Sequence, residues 1–280
     1  MPVTGTSTGG IDEKKWLRVH RRAAEPRLRL LCFPHAGGTA QLFHAWPALL
    51  PADVEVLAVR YPGRQDRLAE PCIESMAAMA DAIAMALRPW LDRPLALFGH
   101  SMGACVAYEV AVRLETHGIL PAHLMVSAHE APHRAAGAAL HEADDATLIA
   151  HVRRLGDMHS EAYDIPELRE LLLPALRSDY RLIESYHPSQ PTPVKAPLTA
   201  YVGQEDTSCA LDGVRAWSDL TTPDSFDLRA FPGDHFYLVP RQADVVADVA
   251  ARLARAGHPG RTALRMAPAG LPGDDGPTGR

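Results

Sequence analysis

The chain has 280 residues, 47% of them hydrophobic, and a formal net charge of −6, enough for one large α/β domain with a sizeable core. A mild acidic excess without a concentrated basic patch excludes nucleic acid as a main partner. No stretch approaches the roughly 18 apolar residues of a membrane span, and the first twenty residues hold no apolar signal core, so no membrane association is expected and a cytoplasmic location is.

Residues 1–25 are expected to form a flexible leader, Gly/Thr/Ser-rich at first and then charged, with Trp16 as the one candidate anchor. The folded domain is expected over 26–258. Leu28–Phe33 is a first strand running into the small-residue loop Pro34-His35-Ala36-Gly37-Gly38. A helix is expected from Ala40 to Leu50, a β-branched strand over Val54–Val59, and a turn at Tyr61-Pro62-Gly63-Arg64. Apolar residues at Ile73, Met76, Ala77, Ala80, Ile83, Ala84 and Leu87 have helical spacing, with Met76, Met79 and Met85 as core filler.

The apolar run Leu95-Ala96-Leu97-Phe98 then ends in Gly99-His100-Ser101-Met102-Gly103-Ala104. A helix is expected to follow to His117, with Gly118 as its C-cap. Leu124–Ala128 is the next strand. From about 130 to 193 the strand rhythm stops, and helices over Asp144–Leu155 and Pro166–Tyr186, the second interrupted at Pro174, suggest an inserted lid. Strand Leu198–Val202, helix Asp212–Leu220, strand Phe226–Phe231 and a last helix Val239–Ala256 complete the domain. A Gly/Pro/Arg-rich tail, 259–280, is expected to be disordered. Strands alternating with helices predict an α/β fold with a mostly parallel sheet covered on both faces.

Gly-x-Ser-x-Gly between a strand and a helix is a nucleophile elbow: the turn pushes the Ser101 hydroxyl out of the sheet, and the helix aims its first N–H groups at the same point. A serine needs a base and a group that orients the base, and on this architecture they follow in the order Ser, Asp or Glu, His. His235, in the loop past the last strand, is the base candidate. Asp206, directly after strand Leu198–Val202, is the favoured acid. Glu130 follows an earlier strand and is the alternative, while Glu205 and Asp234 are adjacent in sequence to better-placed groups. The oxyanion formed in acyl transfer needs two backbone donors; Met102, after the nucleophile, and Ala36, before the two glycines, are the candidates.

Other signals carry less. His129-Glu130-Ala131-Pro132-His133 matches a zinc-protease pattern that works only on a helix, and Pro132 disfavours one there, so no metal is expected. There is no dinucleotide or Walker glycine motif, so no cofactor is expected either. Cys32, Cys72, Cys105 and Cys209 are unpaired by spacing and read as reduced. His100 reads as a packing residue of the elbow, Arg64 and Arg67 as parts of an ion-paired loop rather than a phosphate site. Most apolar residues of the insertion, including Leu148, Val152, Leu155, Leu171 and Leu176, read as its own packing.

Six motifs occur in order: Phe33-Pro34-His35-Ala36-Gly37-Gly38, Tyr61-Pro62-Gly63-Arg64 with Arg67, Gly99-His100-Ser101-Met102-Gly103-Ala104, Ala107-Tyr108-Glu109, Leu176-Arg177-Ser178-Asp179-Tyr180 and Gly233-Asp234-His235-Phe236. Together they resemble the free-standing type II thioesterases of polyketide and nonribosomal peptide synthases, over roughly residues 28–255. The resemblance implies an α/β-hydrolase core with a helical lid. It implies removal of stalled or wrong acyl groups from the phosphopantetheine arm of acyl or peptidyl carrier proteins. It also implies Ser101, Asp206 and His235 as triad, with Ala36 and Met102 as oxyanion donors. From the residues alone, an oxygen-ester or lipid esterase on the same fold, or a non-catalytic carrier-binding module, stays open.

Overall fold

The computed structural model describes residues 13–156 and 160–256; the expectations for residues 1–10 and for the tail after His258 lie outside them. In chain order the elements are α1 (Glu13–Trp16), β1 (Leu17–Arg21), β2 (Leu28–Phe33), α2 (Trp46–Leu49), β3 (Val54–Val59), α3 (Met76–Ala86), β4 (Leu95–His100), α4 (Met102–Thr116) and β5 (His123–Ser127). They continue with α5 (Asp145–Arg154), α6 (Pro166–Glu184), β6 (Leu198–Gly203), α7 (Leu211–Arg215), β7 (Phe226–Phe231) and α8 (Gln242–Ala256).

The seven strands form one sheet in the order β1-β3-β2-β4-β5-β6-β7, parallel except for β1, which runs antiparallel to β3. Strands β2, β3, β4 and β6 are buried along their whole length, which is why they read as continuous apolar runs rather than alternating ones. Their side chains feed two cores. Leu31 and Phe33 of β2 pack with α3 and α4 on one face; Leu28, Leu30 and Cys32 pack with Trp46 and α8 on the other. From edge strand β1 the chain enters the sheet at β2, moves outward to β3, then returns across to β4. The strand order therefore reverses between β2 and β4, and a crevice opens beyond their C-terminal ends. The loop at 34–38 and Ser101 both sit there.

Several elements differ from the sequence reading. Residues 17–21, expected in the leader, form edge strand β1, pairing Leu17 with Val59 and Val19 with Leu57. Only one side of this strand packs on the core, so Arg18, His20 and Arg21 made it look like solvated chain. The expected helix over 40–50 is broken into a 3-10 turn, Ala40–Phe43, and the four-residue α2. Pro47 lacks the N–H that would carry one helix through. Conversely, α6 runs unbroken across Pro174, which lies on the exposed face where the unpaired Glu170 carbonyl can meet water. Met76 and Met79 are buried, but Met85 is 46% exposed and is not core filler. Between β5 and β6, α5, α6 and the 3-10 turn Ser160–Asp164 build a small core of their own from Leu148, Val152, Tyr163, Leu173, Leu176 and Tyr180, whereas Leu171 faces out. Among the described residues no helix is long and apolar enough to cross a membrane.

Candidate active site

Ser101 is the single residue between β4 and α4, and its backbone is held at φ 55°, ψ −124°. A side-chain-bearing residue at positive φ costs about 1–3 kcal/mol and persists only where its surroundings impose it. Here the Ser101 N–H donates to the Ser127 carbonyl at 2.7 Å, and the Ser101 carbonyl accepts from Ala104 N–H at 2.8 Å. The two glycines are required by close approach. A β-carbon on Gly99 would lie 2.7 Å from the Ala104 α-carbon, and one on Gly103 would lie 2.6 Å from the Pro34 carbonyl oxygen. The second contact seats the loop at 34–38 directly on the first turn of α4. Ala36 and Met102 consequently face the same cavity as Ser101.

His235 arrives from the other side of the sheet. Parallel pairing of β6 with β7 continues past the strand ends: Gln204 N–H donates to the Phe231 carbonyl and Glu205 N–H to that of Gly233. Glu205 returns a carboxylate bond to the Gly233 N–H. These ties lay the Asp206 loop against the His235 loop. His235 Nε2 lies 2.9 Å from Ser101 Oγ, and His235 Nδ1 lies 2.9 Å from Asp206 Oδ2. Both His235 and Asp206 side chains are within 5% of full burial. Burial by itself would raise the Asp206 carboxyl, but hydrogen bonds from His235 and Ser208 outweigh it and hold the group below the usual carboxylate value. The structure thus brings Ser101, His235 and Asp206 into one hydrogen-bonded chain. Glu130 is engaged elsewhere, accepting from the Ala210 N–H at 2.7 Å, and Asp234 turns back to the Phe236 N–H.

Two further residues support the site: Ser208, which the sequence did not single out, and Asp179, which stood in the 176–180 motif without an assigned role. Ser208 donates from its backbone and hydroxyl to Asp206 Oδ1, at 2.9 and 2.6 Å, and its Oγ lies 2.9 Å from His235 Nδ1. The Asp-x-Ser spacing, a common side-chain-to-backbone turn, was the available signal. Asp179 of α6 accepts from the Gly37 N–H at 2.7 Å; nothing local could have announced a bond across that much chain. Arg64 and Arg67 are ion-paired, Arg64 to Asp179 and Arg67 to Glu70, with the Arg67 guanidinium 4.1 Å over the Trp16 ring.

His100 is fully buried, with Nδ1 2.9 Å from Ser127 Oγ, which in turn lies 2.7 Å from the Tyr237 hydroxyl. Burial, together with the charges of His235 and His35, keeps it well below the ordinary imidazole value, so it walls the His235 ring as a neutral group. The segment at 129–133 is not helical. His129 Nδ1 donates to the Glu130 carbonyl, while His133 faces Asp219. Asp206, Cys209 and His235 do come within 4.8 Å of one another. Yet His235 Nδ1 and Asp206 are already bonded together, and burial pushes the Cys209 thiol up, away from the thiolate a metal would need.

The cavity over Ser101 measures about 270 Å³. Ala36, Ser101 and Met102 line it together with Tyr180 of α6 and His187 just beyond that helix. A serine bonded to an oriented imidazole, with Ala36 and Met102 lining the same pocket, is an arrangement that acyl transfer can use.

Residues 28–253 match the thioesterase domain family. The chain is 40% identical over 245 residues to the thioesterase PikA5 of Streptomyces venezuelae, covering 87% of each protein. Among solved structures it is similar to the type II thioesterase BorB of the borrelidin biosynthetic cluster, at 38% identity and TM-score 0.79, covering 89% of this chain and all of that one. It is likewise similar to RedJ of the prodiginine pathway in Streptomyces coelicolor, at 38% identity and TM-score 0.75, over 82% and 92% of the two chains. Fold, elbow and relatives agree: the chain belongs to the thioesterase domain family and is an α/β-hydrolase acting on thioesters.

Proposed function

We propose that the chain is an editing thioesterase, hydrolysing acyl groups from the phosphopantetheine arm of acyl or peptidyl carrier proteins of a modular synthase, with Ser101 as nucleophile, His235 as base and Asp206 as its orienting acid. The observation that carries the catalytic assignment is the unbroken chain Asp206–His235–Ser101, 2.9 Å at each link. His235 Nε2 takes the Ser101 proton as Oγ attacks the thioester carbonyl carbon. The carbonyl oxygen becomes an oxyanion between the N–H groups of Ala36 and Met102, each such donor being worth about 3–4 kcal/mol. Collapse breaks the carbon–sulfur bond, and His235 returns the proton to the departing pantetheine thiolate. Water, deprotonated by His235, then attacks the acyl-serine ester, releasing the carboxylic acid and restoring Ser101. A thiol of pKa near ~8.5 leaves more readily than an alcohol or amine and asks less of that proton.

The carrier-protein assignment is supported by relatives that are thioesterases of biosynthetic clusters. Its test is a panel of acyl groups loaded on one carrier protein, read by intact mass, beside the matching oxygen esters. Preferential release from the carrier protein is expected. Faster turnover of the oxygen esters, with the carrier left loaded, would assign the chain to esters instead.

A further inference from the structure

The lid helix α6 does more than cover the cavity: it reaches down to the loop at 34–38. Asp179, 1% exposed, accepts the Gly37 N–H at 2.7 Å on Oδ2. The same carboxylate is held by both Nη atoms of Arg64, at 2.6 and 2.7 Å. Arg64 Nη1 also donates to the Gly38 carbonyl at 3.3 Å, and the Tyr61 hydroxyl donates to that of Pro34 at 3.2 Å. The loop is therefore gripped at three backbone atoms, by one residue of α6 and two of the 61–64 turn. Gly37 itself sits at φ +73°, and a β-carbon there would meet the Leu176 side chain of α6 at 2.8 Å.

A buried charge pair adds little stability over a well-packed apolar pair of the same size, so its presence here calls for a use. The Gly37 N–H belongs to the peptide that follows Ala36. Fixing that peptide plane, with the Gly38 N–H closing a turn onto the His35 carbonyl at 2.9 Å, sets the direction of the Ala36 N–H. We infer that Asp179 is a positioning residue for the oxyanion hole, with Arg64 holding its carboxylate in place, so that the lid helix builds part of the catalytic geometry. The inference rests on the reading of Ser101 as nucleophile and Ala36 as an oxyanion donor.

The test compares wild type with Asp179→Ala, Asp179→Asn and the double change Arg64→Met with Asp179→Leu, which removes both charges together and covers the case in which Asp179→Ala fails to fold. Folding is checked by thermal melting. The readouts are kcat and KM on a small acyl thioester, and affinities for an alkylboronic acid and for an alkyl thioether of the same chain length. The boronic acid adds to a serine oxygen and places a B–O⁻ in the hole; the thioether occupies the cavity without it. A misplaced donor is expected to lower kcat about 10- to 100-fold, with KM nearly constant, boronate affinity falling in parallel and thioether affinity unchanged. Asp179→Asn, which keeps an acceptor for Gly37, should lose less than Asp179→Ala. A folded variant lacking the acceptor but matching wild type in kcat and boronate affinity overturns the inference. So does equal loss of thioether binding, which would make the pair mere packing. Turnover by Ser101→Ala, by contrast, would overturn the nucleophile assignment itself.

Discussion

Gly203 and Gly233 stand backbone against backbone: a β-carbon on Gly203 would lie 2.5 Å from the Gly233 carbonyl oxygen and closer still to that of Asp234. This approach lets the loop after β6 lie on the loop after β7, and so places Asp206 beside His235. Backbone atoms cannot swing aside as a flexible side chain could. Gly203→Ala is therefore expected to destabilise the fold by about 1–3 kcal/mol and to lower kcat at least about tenfold by parting Asp206 from His235. Urea unfolding and steady-state kinetics on the same preparation check both; full activity would mean the two loops find their register without this contact.

Asp206 and Ser208 should separate by size of effect. Asp206→Asn keeps the shape but presents an amide where His235 needs an acceptor, so kcat is expected to fall by about 10⁴. Ser208→Ala removes one hydroxyl donor from the Asp206 carboxylate, worth about 1.5–3 kcal/mol or roughly 10- to 150-fold. Equal effects of the two substitutions would shift the orienting role from the carboxylate to the whole Asp206–Ser208 turn.

Acid sensitivity should trace to His123. Burial, and then the nearby Arg252 charge, lowers its pKa to about 4. Its Nε2 lies 2.8 Å from Thr199 Oγ1, which also accepts from Arg252 Nη1; the Thr199 proton thus goes to a neutral imidazole. Because the folded value is below the unfolded value of about 6.5, the unfolded chain binds the proton more tightly. The contribution is whole above about pH 6.5 and is lost as pH falls toward 4. Between pH 7 and 5, wild type is expected to lose about 2 kcal/mol more than His123→Gln, read from urea midpoints at the two pH values. Parallel pH profiles would move the effect to the other buried histidines, His100 and His129.

What could be read before folding was local or periodic. The elbow is five consecutive residues set between an apolar run and a helix, and that local pattern announces Gly99, Ser101 and Gly103, although Gly103 is demanded by Phe33 and Pro34 across the fold. Asp206 and His235 could be picked out because each follows the end of a strand pattern, an apolar run before Asp206 and an alternating one before His235, where a parallel sheet delivers its loops to one edge. The residues whose roles went unread act across the fold. Asp179 meets Gly37 only because α6 folds back over the sheet. Ser208 matters only once His235 is beside it. Edge strand β1 buries one side alone, and its arginines hid it. Helix α6 tolerates Pro174 because that face meets solvent, which no propensity reports.

The most direct measurement of the central claim is covalent capture. Wild-type enzyme treated with an acyl-mimicking fluorophosphonate should gain one adduct by intact mass, mapped by peptide sequencing to Ser101, with hydrolysis of the acyl carrier protein lost in step. Ser101→Ala should take up no adduct and release no acyl group. An adduct on another residue, or hydrolysis by Ser101→Ala at the wild-type rate, would contradict the assignment of Ser101 as the nucleophile.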